Sequence, residues 1–296
     1  MGFDIKMNQV SVKFRKYQAL KDISLHLEAN KIYGLIGRNG AGKSTLLPLL
    51  ASFTQPTAGS INIADQDPFE NAAIMSEVTF VFETDYSAET EKVKGMIEAV
   101  ERYRPHFDRQ YALELVKLFK LPLDKYVSKL SKGMQSALNV TLGLASRSKI
   151  TIFDEAYNGM DAPTREKFYK EVLADYERFP RTIILSTHLV SEMDYLFEEV
   201  VILKKGEVII KEPIDLLLEK GAAITGSKQA VEEFVQDMVQ LNSQTLGGTK
   251  SVMVYEELTN EKREQARMKG LEIGPVSLQD LFIHLTKEEE EYEVQK

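Results

Sequence analysis

Between two apolar runs, Ile32 to Ile36 and Leu46 to Leu50, the chain reads Gly37-Arg38-Asn39-Gly40-Ala41-Gly42-Lys43-Ser44. This order predicts a buried strand, a glycine-rich turn whose N–H groups point inward, and a helix that begins at Lys43. The inward N–H groups and the helix N-terminus together suit a polyphosphate. A glycine-rich turn before an ordinary helix is the alternative, and residues elsewhere in the chain must decide between the two.

The residue types of the loop fit a nucleotide with a bound metal ion. Lys43 supplies a mobile charge for the β- and γ-phosphates, and the Ser44 hydroxyl is suited to Mg²⁺. Thr45 provides a second hydroxyl near the α-phosphate. Main-chain N–H groups for the phosphates are expected from five residues of the loop: Gly37, Asn39, Gly40, Ala41 and Gly42.

A second apolar run, Ile150 to Phe153, ends in Asp154 and Glu155. A parallel strand would deliver these carboxylates at its C-terminal edge, beside the phosphate loop. Asp154 is then placed to hold Mg²⁺, and Glu155 to orient and polarise the water that attacks the γ-phosphate. Taken alone, a buried strand followed by an acidic turn looks the same, and the pairing with the loop favours catalysis.

Between these segments lies Lys129-Leu130-Ser131-Lys132-Gly133-Met134-Gln135. It resembles the signature motif of the ATP-binding cassette (ABC) family, usually Leu-Ser-Gly-Gly-Gln. The resemblance implies that Ser131 and Gly133 cap the γ-phosphate of ATP bound to the opposite subunit. Lys132 and Met134 replace the commoner residues, and Gln135 falls one place late. A helix cap by Ser131 is compatible with this role, since such a cap directs N–H groups at an anion.

Two further landmarks follow in the family's order. The segment Asn158 to Asp161 occupies the D-loop position, so the resemblance implies that Asp161 crosses the dimer interface and helps to shape the partner's site. The apolar run Ile183 to Thr187 ends in His188, where the family places its γ-phosphate sensor. Without that position, His188 would be interpreted as an ordinary surface or packed residue.

The chain departs from the family pattern at Glu83, where the Q-loop normally carries glutamine. A carboxylate cannot donate a hydrogen bond to water, and it adds negative charge near Mg-ATP. Weakened ATP turnover and a rewired metal shell that includes Glu83 both remain open. Ala156 stands where a proline commonly follows the catalytic glutamate, which is expected to change only the stiffness of the turn.

The adenine end of the site has two candidates. The family stacks the base on an aromatic residue of an early antiparallel sheet, and the spacing from Ala19-Leu20 favours Phe14, with Tyr17 as its competitor. Either ring could instead pack against the sheet, because aromatic stacking is geometrically undemanding.

Composition excludes several classes of protein. The chain has 296 residues, no cysteine and a formal net charge of −8. It is therefore long enough for one large and one smaller domain, and it has neither disulfides nor thiolate metal sites. The negative charge argues against a nucleic-acid partner. No segment approaches the roughly 18 apolar residues of a membrane span, and no signal peptide is evident, so a cytoplasmic location is expected.

The patterns predict two domains. Residues 1–205 would form an α/β P-loop NTPase core of the ABC ATPase type, with an antiparallel β subdomain and a helical subdomain at 84–148. Residues 206–296 would form a small α+β extension with an acidic, solvated tail from Lys287 onward. Within the extension, apolar spacing from Val231 to Val239 predicts a helix, Ser251 to Tyr255 a strand, and Ser277 to Leu285 a helix.

The resemblance covers about the first 210 residues. It implies the ATP-binding subunit of an ABC transporter, which closes with a second cassette, identical or not, on two Mg-ATP and hydrolyses them. The subunit would power a separately encoded transmembrane permease from the cytoplasmic face of the membrane. The variant signature and the extension favour export of peptides, toxins or antibiotics, by analogy.

Other ABC classes fit less well. A ribosome-associated ABC protein would carry two cassettes, and a DNA-repair or chromosome ATPase would carry a long coiled coil. A nucleotide-gated regulatory subunit, or the weak half of an asymmetric pair, is the better rival because Glu83 lies close to the chemistry.

Overall fold

The computed structural model describes residues 3–287. Its strands are β1 (Ile5–Phe14), β2 (Tyr17–Leu27), β3 (Ile32–Gly37), β4 (Ala58–Ile63), β5 (Val78–Val81), β6 (Ile150–Asp154), β7 (Thr182–Thr187), β8 (Glu199–Lys204), β9 (Glu207–Pro213), β10 (Gly221–Ser227), β11 (Gln240–Leu246), β12 (Thr249–Tyr255) and β13 (Glu272–Gly274).

The α-helices alternate with these strands. They are α1 (Lys43–Leu50), α2 (Ala72–Met75), α3 (Val93–Tyr103), α4 (Arg109–Leu118), α5 (Lys132–Ala145), α6 (Ala162–Arg178), α7 (Val190–Met193), α8 (Ile214–Glu219), α9 (Lys228–Phe234), α10 (Asn260–Met268) and α11 (Leu278–Leu285). Single 3₁₀ turns occur at Val127–Lys129 and Asp194–Leu196.

The chain forms two compact units. The first contains the residues up to His188 together with Tyr195–Ile210, and the second contains Leu189–Asp194 and the chain from Lys211 onward. The division thus falls after Ile210 and not at 205, because β9 is hydrogen-bonded to β8 through the tight turn at Lys205-Gly206, both of which have positive φ. The acidic tail predicted from Lys287 lies outside the described residues beyond its first position.

A six-stranded sheet in the order β5-β6-β7-β3-β8-β9 organises the first unit. Every residue of β3 and β7 is buried. Such unbroken burial is expected of parallel strands that are covered on both faces. Since β5, β6, β7 and β3 pair in parallel, their C-terminal ends lie at the same edge of the sheet. The segments that follow these four strands are therefore brought to one edge.

A second, antiparallel sheet in the order β2-β1-β4 carries the aromatic hairpin. Phe14 pairs with Tyr17 across the turn between β1 and β2, so both rings lie at the hairpin tip, 58% and 61% exposed respectively. The helical subdomain predicted at 84–148 is present as α3, α4 and α5. The parallel sheet, the antiparallel sheet and the helical segment expected from the sequence are thus all present.

The second unit has the order β10-α9-β11-β12-α10-β13, with the strands arranged β11-β12-β10-β13, all antiparallel. This is the split β-α-β of ferredoxin-like folds. Ile224, Val252 and Val254 of the sheet face Val231 of α9 in its apolar core. The predicted strand and last helix are present as β12 and α11.

The helix predicted from Val231 to Val239 is wrong in its second half. Helix α9 ends at Phe234, and Val239 is 60% exposed. The reason is that the Val239 carbonyl accepts a hydrogen bond from the Tyr255 N–H, which commits the chain to the sheet before another helical turn can form.

Candidate nucleotide site

The phosphate loop has the backbone that its sequence requires. Gly40 and Gly42 have φ of 78° and 113°, in the left-handed region that favours glycine. A Cβ on Gly42 would also lie 2.8 Å from Leu20 Cδ2. Helix α1 begins at Lys43, directly after Gly42, so the free N–H groups of its first turn lie at the loop.

Ten of the predicted site residues line one cavity of about 540 Å³. They come from the aromatic hairpin, the phosphate loop with the start of α1, and the ends of β5 and β6: Phe14, Asn39, Gly40, Gly42, Lys43, Ser44, Thr45, Glu83, Asp154 and Glu155. Tyr17, the alternative candidate for stacking the base, also lines it. Four further residues line it that were not predicted to bind nucleotide: Ala19, Arg38, Phe82 and Asn158. Gly37 and Ala41 are not part of this lining.

Lys43 is almost fully buried, and its Nζ donates to the Gly37 carbonyl at 2.6 Å. Burial lowers the pKa of Lys43, while the carboxylates of Glu155 and Asp154 act in the opposite direction. The ammonium is therefore held inside the loop beside two acids, with a main-chain carbonyl as its hydrogen-bond acceptor. A phosphate oxygen would be a stronger, charge-assisted acceptor.

Asp154 and Glu155 follow β6 but differ in environment. Burial raises the pKa of Asp154, and the negative charge of Glu155 acts in the same direction. Glu155 has a φ of 46°, in the left-handed region, a type of strain that concentrates at functional sites. Its Oε1 lies 3.0 Å from His188 Nδ1, and its Oε2 accepts from Asn158 Nδ2 at 3.3 Å.

These residues fit a divalent cation held together with phosphates. A hydrogen bond from Ser186 and the charge of Lys43 act against these effects on the pKa of Asp154, and a bound cation would favour the ionised form further. Among the described residues, no group of three or more His, Asp or Glu side chains could hold a metal ion by itself. Mg²⁺ is usually bound through one or two protein carboxylates plus substrate phosphates and water.

Besides Gly37 and Ala41, four predicted site residues lie outside the cavity lining: Ser131, Gly133, Asp161 and His188. Ser131 caps α5 by accepting from the Met134 N–H at 3.3 Å, and Asp161 caps α6 by accepting from the Thr164 N–H at 2.9 Å. Both caps are exposed on the surface. These residues thus do not complete the cavity of their own chain.

The signature segment packs directly on the segment after Glu155. A Cβ at Gly133 would lie 2.4 Å from the Gly159 carbonyl oxygen, so only glycine fits there. Ser136 Oγ donates to the Asn158 carbonyl at 2.6 Å. Because Asn158 also bonds Glu155, α5 is linked through two contacts to the candidate base.

Glu83 is placed at the cavity rim with its side chain 65% exposed, 3.5 Å from Lys132 Nζ. The two departures from the usual family sequence, one in the Q-loop and one in the signature, therefore form an ion pair with each other. The sequence alone gave no reason to connect them, because 49 positions separate them along the chain.

Comparisons with known proteins agree with this geometry. The profile of the family described as "ABC transporter" matches residues 20–158. The ABC transporter ATP-binding protein YtrB of Bacillus subtilis is 24% identical over 284 residues, covering 94% of this chain and 97% of the relative. The nitrate import ATP-binding protein NrtD of Synechococcus elongatus is 30% identical over 228 residues, covering 72% and 81%.

Solved structures show the same fold. An ATP-binding subunit of an ABC transporter superposes with a TM-score of 0.66 at 20% identity, covering 72% of this chain and 91% of that one. A dimeric bacterial ABC transporter cassette gives a TM-score of 0.62 at 25% identity, covering 71% and 98%. The chain therefore belongs to the ATP-binding proteins of ABC transporters and carries their ATPase domain.

Proposed function

We propose that the chain hydrolyses Mg-ATP in a cavity that a second cassette completes, and that the cycle drives a membrane permease. The carrying observation is the division of site residues: the phosphate loop and both acids share one cavity, while Ser131, Gly133 and Asp161 lie outside it, with Ser131 and Asp161 exposed. A site whose γ-phosphate cap lies on another surface of the same chain requires a second chain.

Each residue then has a chemical role. The loop N–H groups and Lys43 hold the phosphates, with their positive charge aimed at the oxygens where negative charge accumulates. Ser44 and Asp154 would hold Mg²⁺, which when bound neutralises phosphate charge. Glu155 accepts the proton of the attacking water, and His188 lies against it at 3.0 Å to orient the carboxylate.

A first test measures ATP hydrolysis with Mg²⁺ for the wild type and Glu155→Gln. The variant keeps the shape of the side chain and loses the base, so turnover should fall by about 10²- to 10⁴-fold. ATP binding should persist, and size-exclusion chromatography should show an ATP-dependent dimer. Undiminished turnover would remove Glu155 as the base, and an ATP-bound monomer would remove the two-chain site.

The permease contact is proposed at an aromatic surface beside Glu83. Phe53, Phe80 and Phe82 form a cluster with ring centroids 4.8 to 5.9 Å apart, and Phe53 is 63% exposed. The cluster borders a groove of about 550 Å³ that Phe69 and Met75 also line. Exposed apolar patches of this kind mark protein contacts. Within residues 3–287, no helix has the length and apolarity to cross a bilayer.

Export of peptides, toxins or antibiotics is the finer part of the proposal, and the cytoplasmic face of the membrane is its proposed location. It is supported by the variant signature and the C-terminal unit. Several relatives are named as import proteins, including the nitrate protein of Synechococcus elongatus, so direction is decided by experiment. Reconstitution with a candidate permease should give ATP-dependent movement of substrate from the ATP side into the lumen of inside-out vesicles, and ATP-dependent movement from the lumen to the ATP side would contradict it.

The rival function, a nucleotide-gated subunit with weak catalysis, is favoured by one observation, the Glu83 carboxylate at the cavity rim. It predicts ATP binding without turnover in the wild type, with or without permease.

A further inference from the structure

Tyr157 lies two residues after Glu155 and does not line the cavity. It nevertheless contacts His188, whose ring lies against Glu155. Tyr157 is 3% exposed, and its ring packs against Tyr169 and His188 with centroid distances of 6.4 and 5.9 Å. A buried phenol requires hydrogen-bond partners for its oxygen. The end of β7 provides such partners.

The Tyr157 hydroxyl bonds two consecutive residues at that strand end. Its oxygen lies 3.0 Å from Thr187 Oγ1 and accepts from the His188 main-chain N–H at 3.3 Å. Strand β7 ends at Thr187, where the last pairing with β3, at Ile36, is made. The His188 N–H is thus the first beyond the ladder, and the phenol oxygen gives it a fixed acceptor.

The same hydroxyl also reaches the imidazole. It lies 3.3 Å from His188 Nδ1, the nitrogen that is 3.0 Å from Glu155 Oε1. Both contacts fall on one edge of the ring. Because the hydrogen bond made by one imidazole nitrogen fixes the tautomer and the ring orientation, holding Nδ1 also fixes the direction in which Nε2 points.

We propose that Tyr157 is a positioning residue whose buried hydroxyl fixes both the main chain and the ring of His188, so that Nδ1 stays on Glu155 and Nε2 stays available to the γ-phosphate. This inference rests on the proposed ATP hydrolysis. Tyr157 does not line the cavity, and its hydroxyl would act through His188. Its loss should therefore alter turnover and not nucleotide affinity.

The test is Tyr157→Phe in the full chain, with its permease where turnover requires it. We expect kcat to fall about tenfold, within the range that slight misplacement of a reacting group produces. The KM for ATP should change by less than about twofold, because the binding groups are untouched. The ring ¹⁵N signals of His188, assigned by comparison with His188→Asn, should shift as the tautomer balance changes.

Tyr33→Phe is the matched control. Tyr33 is also buried, at 1% exposed, and its hydroxyl donates to the Glu28 carbonyl at 3.0 Å, at the start of β3 and away from the cavity. The control removes one buried hydroxyl bond without touching His188. It should leave kcat and the His188 signals unchanged, so equal losses in both variants would overturn the proposal.

Unchanged kcat and unchanged His188 signals in Tyr157→Phe would also overturn it. If that variant does not fold, hydrogen exchange of the wild-type His188 amide decides: protection supports the proposal, and exchange at an unprotected rate overturns it. If the wild type hydrolyses no ATP, the proposed function fails on its own. The ring signals of Tyr157→Phe then still decide whether Tyr157 positions His188.

Discussion

The phosphate-loop side and the signature side of this chain use similar local devices for different ends. Both begin a helix, at Lys43 and at Lys132 respectively. The first helix opens into a cavity with a buried cation and two acids, whereas the second begins on an exposed surface with a serine cap. The difference supports the proposal that one chain carries two unlike half-sites, each of which acts only when it faces the other kind.

The strongest test of this comparison is complementation between two inactive variants, one altered on each side. Lys43→Ala and Ser131→Arg should each lower hydrolysis by about 10²-fold or more, since each removes a group at the phosphates. An equimolar mixture with free exchange should recover up to about a quarter of wild-type turnover, because half the dimers are mixed and each has one intact site. Turnover of the mixture is measured against each variant alone, and no recovery would show that the half-sites are not shared.

The aromatic hairpin allows the adenine end of the phosphate-loop side to be tested. Phe14 and Tyr17 both line the cavity and are similarly exposed, so the geometry leaves both as candidates. Alanine at the stacking residue should weaken ATP binding by about 5- to 100-fold, the value of one stacked base. Calorimetry on Phe14→Ala and Tyr17→Ala identifies it. Tyr103→Ala, at an 82% exposed ring outside the cavity, is the control and should bind normally.

Asp154 on the phosphate-loop side and Asp161 on the signature side should change protein stability in opposite directions when their charge is removed. The pKa of Asp154 is raised by burial, so its ionised form costs stability above that pKa, and the cost disappears as pH falls below the unfolded value. The pKa of Asp161 is lowered by hydrogen bonds from the Thr164 hydroxyl and N–H, so its stabilisation is present above the unfolded value and lost as pH falls through the folded pKa.

At pH 7 without nucleotide, Asp154→Asn should therefore raise Tm and Asp161→Asn should lower it. Both differences should shrink towards acid pH. Thermal unfolding between pH 3 and 7 measures them. A lowered Tm for Asp154→Asn at neutral pH would show that this acid is already compensated before any cation binds.

The smallest expected effect is at the ion pair that joins the two sides. Glu83 and Lys132 are both 65% exposed, so their coupling should be between about 0 and 1 kcal/mol and should fade at high salt. A double-mutant cycle with Glu83→Gln and Lys132→Met, read by urea unfolding, measures it. Strong coupling in hydrolysis without coupling in stability would make the pair a functional link between the half-sites.

The sequence predicted the core more completely than the extension. The strands around the phosphate loop are buried on both faces, so each is a nearly unbroken run of apolar residues. Such runs are easily recognised in the sequence, as in Ile32 to Ile36. In the C-terminal unit, short strands such as Gln240–Leu246 are largely exposed and polar, and no periodicity marks them. The over-long helix beyond Phe234 arose because valines at helical spacing also fit the turn into a strand.

The roles of individual residues also differed in how far the sequence could predict them. By itself, the sequence determined the phosphate loop, the two acids after β6 and the family, because glycine spacing and strand ends are local in the chain. Only the tertiary structure decided that Glu83 meets Lys132, that Asn158 holds Glu155 and that Tyr157 holds His188. Those contacts depend on parallel strands bringing distant segments to one edge of the sheet, and no local pattern in the chain records which side chains will meet there.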